Sequence, residues 1–220
     1  MRVKDSLLRH QDILPPDKTN AAITIIGAGA IGSFTALALA KMGFDRLNVW
    51  DYDKVEAENL NAQLYGPATI GSYKAQALAG LVEALTGVGF MTSPIKYNGQ
   101  ELGGIVIAAV DSMDTRRKIW QSAKNSDVTY IIDPRMASEF AVLYTMRPHD
   151  KEDIEAYEIT LHSDDNSIAE PCTGKSTAYC ALLLSGLVAK AVKDIVTNNP
   201  YPRTASWNVK ENCFQTWSKK

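Results

Sequence analysis

Residues 22–32 read AITIIGAGAIG, and this stretch decides the fold. Ala22 to Ile26 has the character of a short buried strand. GAGAIG, Gly27 to Gly32, follows it, and Ile31 to Met42 then patterns as a helix that stops at Gly43. Strand, GxGxxG and helix together make a dinucleotide-type fingerprint. In this fingerprint Gly27 permits the tight turn, Gly29 lets backbone approach a phosphate, and Gly32 lets helix and strand pack closely. The helix start presents N–H groups and a positive dipole end to an anion. Leu47 to Trp50 is a second apolar run, ending at Asp51, nineteen residues after Gly32. A carboxylate at that place accepts hydrogen bonds from ribose hydroxyls. Asp53 either joins it or stabilises the loop.

Outward from this half-domain, Tyr73 to Leu85 carries Ala75, Leu78, Val82 and Leu85 at helical spacing, with Lys74 just inside its start. Ile105 to Val110 is an apolar strand of parallel-sheet type, and Asp111 ends it. Asp114 to Lys124 reads as a helix and Val128 to Ile132 as a strand. After Asp133-Pro134-Arg135 the pattern changes. Phe140 to Met146 and Tyr157 to Leu161 read as strands with no helix between them, which implies an antiparallel extension. Ser163 to Thr173 is polar and loop-like, Thr177 to Val196 is a long helix, and Thr204 to Val209 is a final strand. The expected fold is α/β: a Rossmann-like, mainly parallel sheet with helices on both faces and a C-terminal antiparallel extension. Residues 1–220 form one nucleotide-binding domain, in which residues 1–20 are an N-terminal arm.

Composition excludes several classes. The chain has 220 residues, a hydrophobic fraction of 45% and a net charge of −2, so it has a real core and no basic bias toward nucleic acid. Three cysteines without a CxxC pair argue against a disulfide framework or a cysteine-rich zinc site. His10, His149 and His162 are scattered. The N-terminus is too polar for a signal peptide, and no apolar run is long enough to span a bilayer. A cytoplasmic location follows as the default, with neither nucleic acid nor membrane as a partner. Thr173-Gly174-Lys175-Ser176 looks like the end of a P-loop, but Ala169 stands where that motif needs glycine.

Lys74 and Asp111 add a phosphate-neutralising cation and a metal ligand to the glycine turn. A dehydrogenase needs neither, whereas an enzyme that cuts ATP needs both. Each also has a plainer reading, Lys74 as a solvated helix lysine and Asp111 as a helix cap. Cys172 precedes the long helix beside Lys175, where a thiol's pKa falls, so it is either a nucleophile or a loop cysteine. Cys180 reads as core and Cys213 as incidental. Arg135 lies on the same strand edge as Asp111 and either meets phosphate or pairs with Asp133 or Glu139. Arg116 reads as a structural ion pair.

Gly27 to Gly32, Asp51-Tyr-Asp-Lys-Val55, Asn59-Leu-Asn-Ala-Gln63, Ile70-Gly-Ser-Tyr-Lys74 and Asp111-Ser-Met-Asp-Thr-Arg116 together resemble the ThiF/MoeB family. These enzymes activate ubiquitin-like proteins and sulfur carriers. The resemblance implies ATP-dependent adenylation of a carrier protein's C-terminal carboxylate with Mg2+, the carrier ending in Gly-Gly, and a homodimer. By that resemblance Asp51 binds ribose, Asn59 and Lys74 approach the phosphates, Asp111 holds magnesium, and Cys172 takes the place of the family cysteine. Arg9 resembles the N-terminal arginine that reaches the neighbouring subunit's nucleotide. Two departures stand out. Ala62 occupies the position of a triphosphate-contacting arginine, a place that Arg135 or Arg9 would have to fill. The paired CxxC motifs are absent, so no structural zinc is expected. Two other functions compete: an NAD-dependent oxidoreductase, and a non-catalytic carrier-binding subunit.

Overall fold

The computed structural model describes residues 7–161 and 176–218. Among these, the strands form one eight-stranded sheet: β1 Ile23–Ile26, β2 Leu47–Trp50, β3 Met91–Ser93, β4 Gly103–Ala108, β5 Asp127–Ala137, β6 Phe140–Met146, β7 Thr204–Asn208 and β8 Cys213–Trp217. Their spatial order is β3-β2-β1-β4-β5-β6-β7-β8. The first five are parallel and the rest antiparallel. The Rossmann-like mainly parallel sheet with an antiparallel extension is therefore as expected.

Among the described residues, five α-helices, α1 Ala30–Met42, α2 Lys74–Thr86, α3 Met113–Lys124, α4 Lys151–Glu158 and α5 Ala178–Val196, cover both faces of the sheet. Alternation along the strands sends side chains to opposite faces. Ile23, Ile25, Ile105 and Ile107 meet α1, α2 and α5 through Leu39, Leu78, Leu184 and Val188. Val106, Ala108, Val128 and Ile131 meet α3 and α4 through Ile119, Trp120 and Tyr157. Near the N-terminus, Leu14 is buried in the first of these cores.

Three expectations need correction. Tyr157 to Leu161 is not a strand, because Tyr157 lies in α4. The Asp150 carboxylate accepts the Asp153 N–H at 3.1 Å and starts that helix. Tyr157 is drawn inward against Trp120, with ring centroids 4.5 Å apart. β5 does not end at Ile132 but runs on through Pro134 to Ala137, paired with β6. Two short strands, β3 and β8, were not expected from the sequence.

Candidate functional site

β1 and β4 are neighbours, although β2 leaves to one side and β5 to the other. The strand order reverses between them, and open α/β sheets bind ligands at the carboxyl end of such a junction. The loops that follow β1, β2 and β4 gather there.

The three glycines do different things. Gly27 has φ 97°, and a Cβ on it would lie 2.2 Å from the Ala109 carbonyl oxygen, so the turns after β1 and β4 touch. A Cβ on Gly32 would lie 1.9 Å from the Gly27 carbonyl oxygen, which fixes the close approach of α1 to its own turn. Gly29 has nothing within 4 Å of its Cβ position. It is also the N-cap of α1 and supplies no side-chain cap, so open space lies before a helix start. The packing thus needs Gly27 and Gly32, whereas at Gly29 the fold leaves room for a ligand's atoms.

Asp51 is anchored at both oxygens. One accepts the Ala28 N–H at 2.7 Å and the other the Asp53 N–H at 2.8 Å. Burial pushes its carboxyl up, opposed by those two amides and by Lys74. Each oxygen keeps a lone pair for a further donor. Lys74 opens α2 and is only 8% exposed. Its Nζ lies 3.2 Å from an Asp53 oxygen, and its N–H donates to the Asp53 carbonyl at 2.8 Å. It is therefore not a solvated helix lysine. Tyr65 ties these parts together: its hydroxyl donates to the Ala28 carbonyl at 2.7 Å, with the Lys74 carbonyl 3.2 Å away. Burial, then the charges of Asp51 and Asp53, raise its pKa, so it remains a neutral donor. No motif marked Tyr65 in the sequence.

Asp111 is exposed on the loop after β4. The cap of α3 is not Asp111 but Ser112, whose hydroxyl accepts the Thr115 N–H at 3.3 Å. Tyr52, within the Asp51–Asp53 loop, is 51% exposed, with Lys96 Nζ 5.6 Å from its ring centroid. The charge of Asp53, then burial, then the charges of Asp111 and Asp51 hold the Tyr52 phenol above its ordinary range. The acidic loops thus share one small field around Tyr52. Among the described residues, no three His, Cys, Asp or Glu side chains converge on a single point. A divalent cation here would accordingly take only a carboxylate or two from the protein. That suits magnesium, which keeps its waters and borrows phosphate oxygens.

The other candidates are placed differently. The Asn59 side chain accepts the Glu56 N–H at 3.0 Å and closes a short capped turn. Ala62 is 5% exposed. Arg135 donates from Nε to Asp133 at 2.9 Å and to the Thr160 carbonyl and hydroxyl at 3.0 Å each, and it stacks over Tyr144 with 4.6 Å to the ring centroid. Of the two readings of Arg135, its contacts are those of the ion pair with Asp133. Arg9 is exposed in the turn before Leu14. Cys172 and His162 lie outside the described residues. Cys180 is buried in α5, and Cys213 is exposed in β8.

Residues 17–88 match the family model described as "ThiF family". This segment holds the glycine turn, Asp51, Asn59 and Lys74, and it bears out the ThiF resemblance. Ubiquitin-like modifier-activating enzyme 5 of Rattus norvegicus is 43% identical over 56 residues, which are 26% of this chain and 14% of that protein. The enzyme of the same name from Drosophila ananassae is 28% identical over 117 residues, 44% of this chain and 30% of that protein. The chain thus spans less than a third of these curated relatives. Among solved structures, E. coli MccB with AMPCPP and MccA superposes with a TM-score of 0.72 at 19% identity, covering 92% of this chain and 65% of that one. PaaA gives 0.73 at 17% identity, covering 96% and 66%. These superpositions show the fold.

Proposed function

We propose that this chain catalyses ATP-dependent adenylation of the C-terminal carboxylate of a small ubiquitin-like or sulfur-carrier protein. The observation that carries the reading is Lys74, a nearly buried cation paired with Asp53 on the sheet edge where Gly29 leaves open space. Hydride transfer gives such a cation no task. The ThiF match over residues 17–88, ubiquitin-like modifier-activating enzyme 5 as a relative, and the structures of MccB with ATP and with MccA support the same reading.

The chemistry asks little of side chains. A C-terminal carboxylate is ionised at neutral pH and needs no general base. Its oxygen bonds to the α-phosphorus while the bond to the β-phosphate oxygen breaks, and pyrophosphate leaves. The obstacle is charge: one anion must approach three phosphates. In this reading the start of α1 receives phosphate, Asp51 orients ribose and Lys74 screens the charge. Asp111 would hold magnesium, which would supply charge neutralisation to the phosphates. Asn59 lies in the turn between Asp51 and Lys74. Residues 1–220 act as one nucleotide-binding domain, for which the continuous sheet is the support. Homodimerisation, a phosphate contact from the partner subunit's Arg9, a carrier ending in Gly-Gly, a cytoplasmic setting and acyl transfer to Cys172 are finer parts of the proposal. They rest on the sequence alone.

Calorimetric titration tests the core claim. Mg-ATP should bind and NAD should not. Tight NAD binding without a response to Mg-ATP would sink the reading. A second reading draws on Ala62, whose buried methyl group puts no charge where the family has arginine. That is a subunit which docks a carrier without turning ATP over. Mg-ATP binding without carrier-dependent pyrophosphate exchange would favour it.

A further inference from the structure

Asp133 lies on β5, is fully buried, and belongs to none of the loops described above. Two hydrogen-bond donors reach one of its oxygens, and an ion pair reaches the other. Tyr157 donates its hydroxyl at 2.8 Å, Arg135 donates from Nε at 2.9 Å, and Arg116 pairs with the other oxygen. A carboxylate with no solvent needs such partners, because an isolated buried charge is prohibitively costly.

The consequence lies on the far side of Arg116. This residue, 5% exposed, comes from the first turn of α3. Its guanidinium also donates to the Ala108 carbonyl at 3.0 Å and to the Val110 carbonyl. The carbonyl between them, that of Ala109, is the one pressed against Gly27. Of three successive carbonyls, the outer two accept from Arg116 and the middle one abuts Gly27. Asp111 is the next residue. A guanidinium does this where an ammonium cannot, since it presents several donors in one rigid plane.

We infer that Asp133 and Arg116 are positioning residues, which set the Ala108–Val110 turn and through it fix both Asp111 and the seat of the Gly27 turn. This deepens, and rests on, the Mg-ATP reading of the site. Neither residue touches nucleotide. Their effect is to hold a metal-directed carboxylate in register with a phosphate-directed backbone, so loosening them weakens the metal-dependent part of ATP binding and spares the rest. Changes of this kind behind a metal ligand cost roughly tenfold to a hundredfold in metal affinity.

The test compares the parent with Arg116→Lys, Asp133→Asn and Tyr157→Phe. The last removes one hydrogen bond to Asp133 and leaves Arg116 in place, so it controls for a general loss of stability. ATP affinity is titrated with magnesium and with EDTA, and hydrogen exchange of segment 108–111 is followed without ligand. The expected result for Arg116→Lys is roughly a tenfold or greater loss of the magnesium-dependent gain in ATP affinity, with faster exchange at 108–111. The metal-free affinity should stay near the parent's, and Tyr157→Phe should show neither effect. If Arg116→Lys does not fold, Asp133→Asn, which is nearly isosteric, is read in the same way. A folded Arg116→Lys or Asp133→Asn with the parent's magnesium response and exchange rate overturns the inference. Equal losses with and without magnesium overturn it too, because they make the pair a general scaffold. A parent that ignores Mg-ATP sinks the adenylation reading instead. The exchange difference then reports alone on whether Arg116 holds the turn.

Discussion

At the scale of single residues, the structure separates Gly29 from Gly32 along the line the motif draws. Gly32→Ala forces a methyl group into the Gly27 carbonyl, 1.9 Å from its Cβ position. Overpacking of that kind costs about 1–3 kcal/mol, and rigid backbone puts this case at the upper end. Gly29→Ala meets open space, so its stability should stay within about 0.5 kcal/mol of the parent, while Mg-ATP binding is lost because the methyl group fills the approach to the start of α1. Thermal melts together with calorimetry separate the two, and a Gly29→Ala chain that binds Mg-ATP as the parent does would remove Gly29 from the site. Asp111→Ala should likewise leave the melt unchanged, since Asp111 is exposed and the α3 cap is Ser112. Carrier-dependent pyrophosphate exchange should disappear, and exchange at the parent rate would place the metal elsewhere. The glycines, Asp51 and Asp111 could be singled out as candidates from the sequence because each sits at a fixed offset from a strand end, and Lys74 because it opens a helical pattern. Tyr65 could not be, and Asp133 could be singled out only as a partner of Arg135. Their importance comes from burial against partners distant in the chain, such as Ala28 and Arg116, and no local pattern encodes that.

At the scale of elements, the parallel strands and the long helices announced themselves through apolar runs and helical spacing. The failures have separate causes. β3 is three residues long, too short for any period to show. β8 is exposed at every position, so it lacks the inward-outward alternation of a half-buried strand. Tyr157 to Leu161 has β-like composition, but the Asp150 cap and the Trp120 contact decide for a helix. α4 carries a prediction of its own. Lys124 Nζ at 2.6 Å and Trp120 Nε1 at 3.0 Å both donate to Glu158, and they hold its carboxyl below the ordinary value of 4.5. The folded chain therefore binds this proton less readily than the unfolded chain. The stabilisation is complete above that ordinary value and is lost as pH falls through and below it. Glu158→Gln should melt lower than the parent at neutral pH, and the gap should narrow between about pH 5 and pH 3. A gap independent of pH would make the contact one of packing alone. Glu158 is largely solvent-facing, so the effect should be small.

At the scale of the whole molecule, the sheet divides its labour. The parallel half supplies the loop ends of the candidate nucleotide site, and the antiparallel half extends the sheet away from it. β8 is an edge strand paired only with β7, with Phe214 47% and Trp217 50% exposed and the Phe214 ring 5.8 Å from that of Trp207. A chain stopped after Lys210 should therefore keep its fold and its Mg-ATP binding. It should lose only about 1 kcal/mol, the scale of one aromatic pair. Loss of nucleotide binding in that truncated chain would mean that the two halves are coupled more tightly than the sheet order implies.

The helix that opens at the glycine turn is roofed by a helix from much later in the chain. The Ser185 hydroxyl of α5 donates to the Ile31 carbonyl of α1 at 2.9 Å, across 154 residues of sequence, and Leu184 and Val188 share a core with Ala36 and Leu39. During synthesis the nucleotide half emerges first, yet its outer apolar face stays bare until α5 has left the ribosome. Contacts so distant in sequence are slow to close and leave sticky intermediates exposed in the meantime. A nascent chain arrested before Ala178 should accordingly be captured by chaperones and degraded readily by protease, and release of the arrest should end both.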